Sequence, residues 1–83
     1  MEKQILATSR VIAPDMVAPA RKRPDGDTIV NRWIKEEKDW IAQSIQLAID
    51  NNGLEKSDGA TIQYEVTSLK DGGIKITGTL ELK

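Results

Sequence analysis

Apolar and polar residues alternate along two segments in the second half of the chain, residues 60–68 and 74–82. The apolar members are Ile62, Tyr64, Val66, Ile74, Ile76, Leu80 and Leu82. A period of two is typical of strands with one buried face, and the Asp-Gly-Gly sequence at residues 71–73 suits the turn between them. The pattern therefore predicts a β-hairpin. Gly78 interrupts the apolar series of the second strand, which predicts either a bulge or a close approach of the helix.

The segment before the hairpin has the apolar spacing of a long amphipathic helix. This spacing covers residues 28–52, and an Asp-Thr pair at positions 27–28 offers either residue as the N-cap. Gly53 stands where helices commonly end on a left-handed residue, and Leu54 is then expected to fold back on Ile49. The spacing therefore predicts one helix of about seven turns, with a defined carboxyl-terminal end.

The first part of the chain predicts a strand and then an extended segment. Residues 3–13 place Ile5, Leu6, Val11 and Ile12 beside the β-tolerant Thr8 and Ser9, with imperfect alternation, and Pro14 ends the segment. Residues 13–27 contain all three prolines, so we expect a proline-rich extended arm or loop there. The element order is β-α-β-β, which predicts a two-layer α+β domain spanning residues 1–83. One helix packs on a three-stranded, mostly antiparallel sheet in the order 1-3-2.

The apolar positions of the predicted helix form two flanks. The first consists of Val30, Ile34, Ile41, Ile45 and Ala48, and the second, about 60–80° round the helix, consists of Trp33, Trp40 and Leu47. The combined arc of roughly 160° is wider than one helix needs to cover a small sheet. Either both flanks pack on the sheet, or the tryptophan flank binds something else. The candidates for that role are the proline-rich segment, a second copy of the chain and another protein.

Glu37 lies between the two flanks, near the centre of the apolar arc, with Ser44 close by. A carboxylate buried there must be paired or neutralised. Glu37 therefore either contributes a polar contact to a pocket or partner, or reaches solvent beside Lys38 or Arg32. The second alternative is favoured, because charged residues are seldom fully buried. The predicted partner-binding residues are Trp33, Trp40, Glu37 and Leu47.

Size and composition narrow the classes of function. The 83 residues make one small domain, whose stability is marginal without cross-links or oligomerisation. Cysteine and histidine are both absent, which removes disulfides, thiolate chemistry and the commonest metal ligand and general base. We therefore expect a protein that is not an enzyme, has no cofactor or metal site, and forms a homo-oligomer.

The charge pattern gives little support for nucleic acid or membrane as a partner. Twelve basic and thirteen acidic residues nearly cancel. The basic run of Arg21, Lys22 and Arg23 is followed at once by acidic residues, so a solvated loop is the simpler interpretation and weak anion binding the alternative. We find no apolar segment long enough to cross a membrane and no signal-peptide pattern, and so expect a cytoplasmic location.

These constraints favour a non-enzymatic module that binds another protein, such as an accessory or inhibitor protein. It is expected to self-associate through the exposed hairpin edge or the tryptophan flank. Small domains of this type include proteins of viruses and mobile elements. Membership of this size class is the only ground for expecting a viral or mobile-element origin. The alternative is a small oligomer that binds a nucleotide-like anion between protomers, using the basic run and a tryptophan face. Weak nucleic-acid binding through the basic run ranks third.

Overall fold

The computed structural model describes residues 4–83, which form three strands and two helices. In chain order these are β1 (Gln4–Ile12), α1 (Pro14–Arg21), α2 (Gly26–Asn52), β2 (Gln63–Ser68) and β3 (Ile74–Leu82). The strands form one antiparallel sheet in the order β1-β3-β2, and α2 packs on it. The predicted α+β fold and its 1-3-2 strand order are confirmed. The predicted start of the first strand at Lys3 lies outside the described residues.

β3 is the central strand, and it carries much of the core. Its inward side chains, Ile74, Ile76, Leu80 and Leu82, are all buried. β1 pairs with β3 along nine residues, and β2 pairs with the first six residues of the other edge. Beyond β2, the loop after α2 pairs with the same edge of β3. The amide of Ser57 donates to the carbonyl of Glu81 at 3.0 Å, and the amide of Lys83 donates to the carbonyl of Glu55 at 3.0 Å. Within the described residues, the unpaired strand edges are therefore those of β1 and β2.

Gly78 marks the point where α2 comes closest to the sheet. It pairs with Thr8 on one side and Tyr64 on the other. A Cβ atom at this position would lie only 2.4 Å from Cγ2 of Ile41, a residue of α2 that is fully buried. Of the two predicted explanations, close approach of the helix is the one that the packing supports.

α2 ends as predicted but begins earlier. Gly53 follows it in the left-handed conformation (φ 63°), and the amide of Leu54 donates to the carbonyl of Ile49 at 3.0 Å. This is the backbone bond of the predicted Schellman ending. The helix begins at Gly26, and its N-cap is Asp25, whose side chain makes no capping hydrogen bond. The expected capping by Asp27 or Thr28 is therefore wrong.

The extended arm or loop predicted for residues 13–27 is wrong where the chain is helical, since Pro14–Arg21 form helix α1 and α2 begins at Gly26. Pro14 occupies the first turn, where its missing amide hydrogen costs no helical bond. Pro19 lies inside the helix, and its missing amide hydrogen does remove one helical hydrogen bond. The helix forms nevertheless because it buries Val17 and Ala20 in the core. In a helix of two turns, this burial outweighs the single lost bond.

α1 and α2 pack against each other, and residues 22–25 make the turn between them. The carbonyl of Ala13, in extended conformation before Pro14, accepts the amides of Met16 at 3.0 Å and Val17 at 3.2 Å. These are the first backbone bonds of α1, which Ala13 alone separates from the end of β1. The proline-rich segment is a structural part of the described domain.

Candidate functional site

The two tryptophans of α2 lie in different environments. Trp33 is half-buried and packs against the hydrophobic core. Trp40, seven residues further on, keeps 44% of its surface exposed, and Leu47 on the same flank keeps 59%. The helix therefore buries one end of its tryptophan flank and leaves the other end accessible. A role for Trp33 in partner binding stays a prediction.

Glu37 is paired within the chain, by a residue that the sequence analysis did not single out. Its Oε2 atom accepts a hydrogen bond from Nε of Arg10 at 2.6 Å. The Arg10 guanidinium also lies over the ring of Trp40, with its Cζ atom 4.2 Å from the ring centroid. Neither Lys38 nor Arg32 is this partner. Lys38 instead lies over the ring of Tyr64, with its Nζ atom 5.5 Å from the centroid.

Arg10 reaches these residues because of its position on β1. Side chains alternate along a strand, so Arg10 shares the helix-facing side of β1 with Leu6 and Ile12. The contact with Trp40 shows that the exposed flank of α2 lies on the side of the helix nearest β1. Leu47, two turns further along α2, projects from nearly the same side. In the sequence, Arg10 is a charged residue on the side of β1 that also carries Leu6 and Ile12. This position is the signal from which a role for Arg10 against the helix could have been predicted.

The opposite side of β1 carries two exposed aliphatic residues. Ile5 keeps 65% of its surface exposed and Val11 keeps 55%, and both point to the sheet face that α2 does not cover. Between them on that side lie only Ala7 and Ser9. This side of β1 therefore has no charge and no proline, the features with which sheet edges are usually protected.

These features together form what we call the edge surface. It consists of the unpaired edge of β1 (Gln4–Ile12), with Ile5 and Val11 on one side, and Trp40 and Leu47 on the helix side. The other unpaired edge, that of β2, is shorter and carries Glu65 at its centre, pointing away from α2. On the helix-facing side of β2, Tyr64 and Val66 are partly exposed. The larger accessible apolar surface is thus the one around β1.

The basic run does not join this surface. Arg21 ends α1, and Lys22 and Arg23 lie in the turn before α2, all exposed. Arg23 pairs with Asp25 at 3.6 Å, and both side chains are mostly solvated. Trp40 lies fourteen residues into α2 from Gly26, about 21 Å along the axis at 1.5 Å per residue. An anion held by both the basic run and Trp40 would therefore need contributions from different protomers.

Two open clefts lie at the end of the sheet where β2 begins. One, of about 290 Å³, lies between the second half of α2 and the loop after it, and its lining includes Ile45, Ile49, Ile62 and Lys56. The other, of about 310 Å³, lies on the uncovered sheet face beside Ile5.

Within residues 4–83, no three acidic side chains gather closely enough to hold a metal ion.

In the part of the chain that the structure describes, neither helix combines the length and the apolar character needed to cross a membrane. Comparison of the chain with protein-family models, with curated proteins and with solved structures found no match.

Proposed function

We propose that this protein is a non-enzymatic, self-associating protein-binding module that acts through the edge surface. The supporting observation is the nine-residue unpaired edge of β1, which has exposed apolar side chains on both of its sides. In this proposal the protein is an accessory or inhibitor protein of the cytoplasm. Such a role requires recognition of another polypeptide and no catalytic group.

The free backbone groups of β1 can pair with a further strand. An unpaired strand edge presents a row of amide and carbonyl groups that can accept a further strand, and natural proteins usually block such edges with charge, proline or a bulge. The outward side chains of β1 include none of these blocking residues. Strand addition of this kind is a common mode of polypeptide recognition, with main-chain bonds for affinity and alternate side chains for specificity.

The side chains beside the edge add to this argument. Trp40 lies next to β1, and tryptophan is the residue type most enriched among energetically dominant interface residues. Arg10 covers one face of its ring and is itself bound by Glu37. The pair therefore holds the ring in place, so that little side-chain entropy is lost when a partner covers it. Glu37 supports the surface from below in this proposal, and Trp40 makes the contact.

A peptide-display experiment tests this proposal. Peptides selected on the wild-type protein from a random library should be extended and alternately apolar. Trp40→Ala and Val11→Lys should each weaken their binding at least about tenfold, equivalent to 1.4 kcal/mol. Thr67→Lys is the matched control, because Thr67 is an exposed outward residue of the other edge strand. Selected peptides that bind all three variants as tightly as the wild type would contradict the proposal.

The same variants must keep their fold for this test to be valid. We expect Trp40→Ala to destabilise the domain less than Ile41→Ala, for which the loss should be about 2–5 kcal/mol. The reason is that Ile41 is fully buried, whereas nearly half of Trp40 is already in contact with water. Thermal unfolding followed by circular dichroism, at a protein concentration below self-association, measures both losses.

A further inference from the structure

The outward side chains of β1 have a symmetric pattern. From one end to the other they are Ile5, Ala7, Ser9 and Val11, with the exposed aliphatic residues at the two ends and the small residues between them. The centre of this pattern is Thr8, which is also the middle residue of the nine-residue strand. An edge with this pattern matches a second copy of itself when the two strands run antiparallel.

We propose that the edge surface binds a second copy of this chain, with the two β1 strands antiparallel about a two-fold axis at Thr8. This inference rests on the proposed function, because it names the partner of the same surface. Ile5 of each copy then lies opposite Val11 of the other, and Ala7 lies opposite Ser9. The two three-stranded sheets become one continuous six-stranded sheet. The contact is isologous, as in most homodimers.

The charges on the helix-facing side are compatible with this register. Arg10 of one copy lies opposite Leu6 of the other, and the two Thr8 residues face each other. The two Arg10 residues are offset by four residues along the strands, about 13 Å at 3.3 Å per residue. Each also keeps its ion pair with Glu37 of its own chain. Like charges are therefore not placed directly opposite each other, which would destabilise the pair.

The two-fold axis also brings the exposed flanks of the helices together. Because it runs perpendicular to the sheet, both α2 helices lie on the same face. α2 contacts both β1 and β3, and Trp40 lies on its β1 side. Trp40 and Leu47 of each copy therefore face the helix of the other copy across the two-fold axis.

The β2 edge fits a second copy less well. Pairing two β2 strands about their centre brings Glu65 near its own copy, and the strand offers only six residues. Pairing there would also leave Trp40 and Leu47 uncovered, because they lie on the β1 side of α2. Pairing through β1 covers Ile5, Val11, Trp40 and Leu47 at the same time.

Sedimentation equilibrium tests the dimer. The wild type should be dimeric at about 50 μM, far above the dissociation constants typical of specific complexes. Val11→Lys should raise the dimer dissociation constant at least tenfold, because it places a charge opposite Ile5 of the other copy. Thr67→Lys should change it less than twofold. A monomeric wild type at this concentration, or a dimer that Val11→Lys leaves intact, would overturn the inference.

Cysteine cross-linking tests the register, and the absence of native cysteine makes the result unambiguous. A mixture of Ala7→Cys and Ser9→Cys chains should form an interchain disulfide under mild oxidation at least tenfold faster than either variant alone. The reason is that only the mixture places the two sulfur atoms opposite each other. Equal rates in the mixture and in Ala7→Cys alone would indicate another register or a parallel arrangement, and would contradict the inference.

The peptide-display experiment separates this inference from the proposed function. If the wild type is monomeric but its selected peptides lose affinity for Trp40→Ala and Val11→Lys, the edge surface binds other polypeptides. The second copy is then excluded, together with the self-associating part of the proposed function, and the protein-binding part stands. If the wild type is monomeric and neither substitution weakens peptide binding, the proposed function is contradicted together with this inference.

Discussion

A single methyl group added at Gly78 tests how closely α2 packs on the sheet. In Gly78→Ala the new Cβ would lie 2.4 Å from Cγ2 of Ile41 and 3.3 Å from Cγ2 of Ile62. Carbon atoms in favourable contact are about 3.5–4.0 Å apart, so the distance to Ile41 must increase by about 1 Å. Ile41 is fully buried and has no solvent to move into. Either α2 moves away from the sheet, or the side chain of Ile41 leaves its preferred rotamer.

The expected cost follows from two opposing effects. Overpacking of a core costs about 1–3 kcal/mol. Replacing glycine by alanine also restricts the unfolded chain, which stabilises a protein by about 0.4–1 kcal/mol where the backbone permits the change. Gly78 does not have a positive φ, so this benefit applies. The two ranges leave a net loss of about 0–2.6 kcal/mol, and a value in the upper half is expected because the new Cβ would lie about 1 Å too close to a fully buried atom. Each kcal/mol lowers the melting temperature of so small a domain by about 4–8 °C.

Thermal and urea unfolding, followed by circular dichroism, measures this loss in two backgrounds. Ile41→Leu is the second background, because leucine carries no methyl group on Cβ and so removes the atom that the new Cβ would meet. The loss caused by Gly78→Ala should be smaller there by at least about 0.5 kcal/mol, the interaction energy expected between residues in contact. A Gly78→Ala protein that melts at or above the wild-type temperature, or an equal loss in both backgrounds, would refute the packing argument.

Three further substitutions test other parts of the fold, each by urea unfolding. Val17→Ala should cost about 1.5–3 kcal/mol, because Val17 is the residue of α1 that is most deeply buried in the core. Its exposed neighbour provides the control, and Met16→Ala should change stability by less than about 0.5 kcal/mol. Equal effects would mean that α1 does not pack as described. Gly53→Ala should cost about 1 kcal/mol, because alanine is strained at a φ of 63°, and no loss would count against the left-handed helix end. Glu37→Gln should cost about 0.5–1 kcal/mol by removing the ion pair with Arg10, and the cost should shrink in about 1 M salt. A salt-independent cost would show that the pair contributes little electrostatically.

Part of the candidate site could be predicted from the sequence. The helical wheel separates Trp40 and Leu47 from the isoleucine flank, because helix periodicity depends only on residue spacing. It also places Glu37 within the apolar arc. It could not identify Arg10 as the partner of Glu37, because the two residues are 27 positions apart and meet only once β1 lies beside α2.

The exposure of Ile5 and Val11 could not be predicted either. Both are apolar residues of a strand, and such residues are usually buried. They are exposed because β1 is an edge strand whose outer face α2 does not cover, which is a property of strand order and layer number. The apolar residues on both faces of β1 make its alternation imperfect, and this imperfection was the only local sign of an unusual strand.

Neighbouring residues alone specify three features: the hairpin through its period of two, α2 through its apolar spacing, and the end of α2 through Gly53. Tertiary contacts make residues 14–21 helical, leave Trp40 exposed on α2, and pair Arg10 with Glu37. Local patterns reflect backbone preferences of about 1 kcal/mol or less per residue. Burying a side chain such as Val17 contributes about 1.5–3 kcal/mol, and the contacts that bury it come from residues distant in the chain.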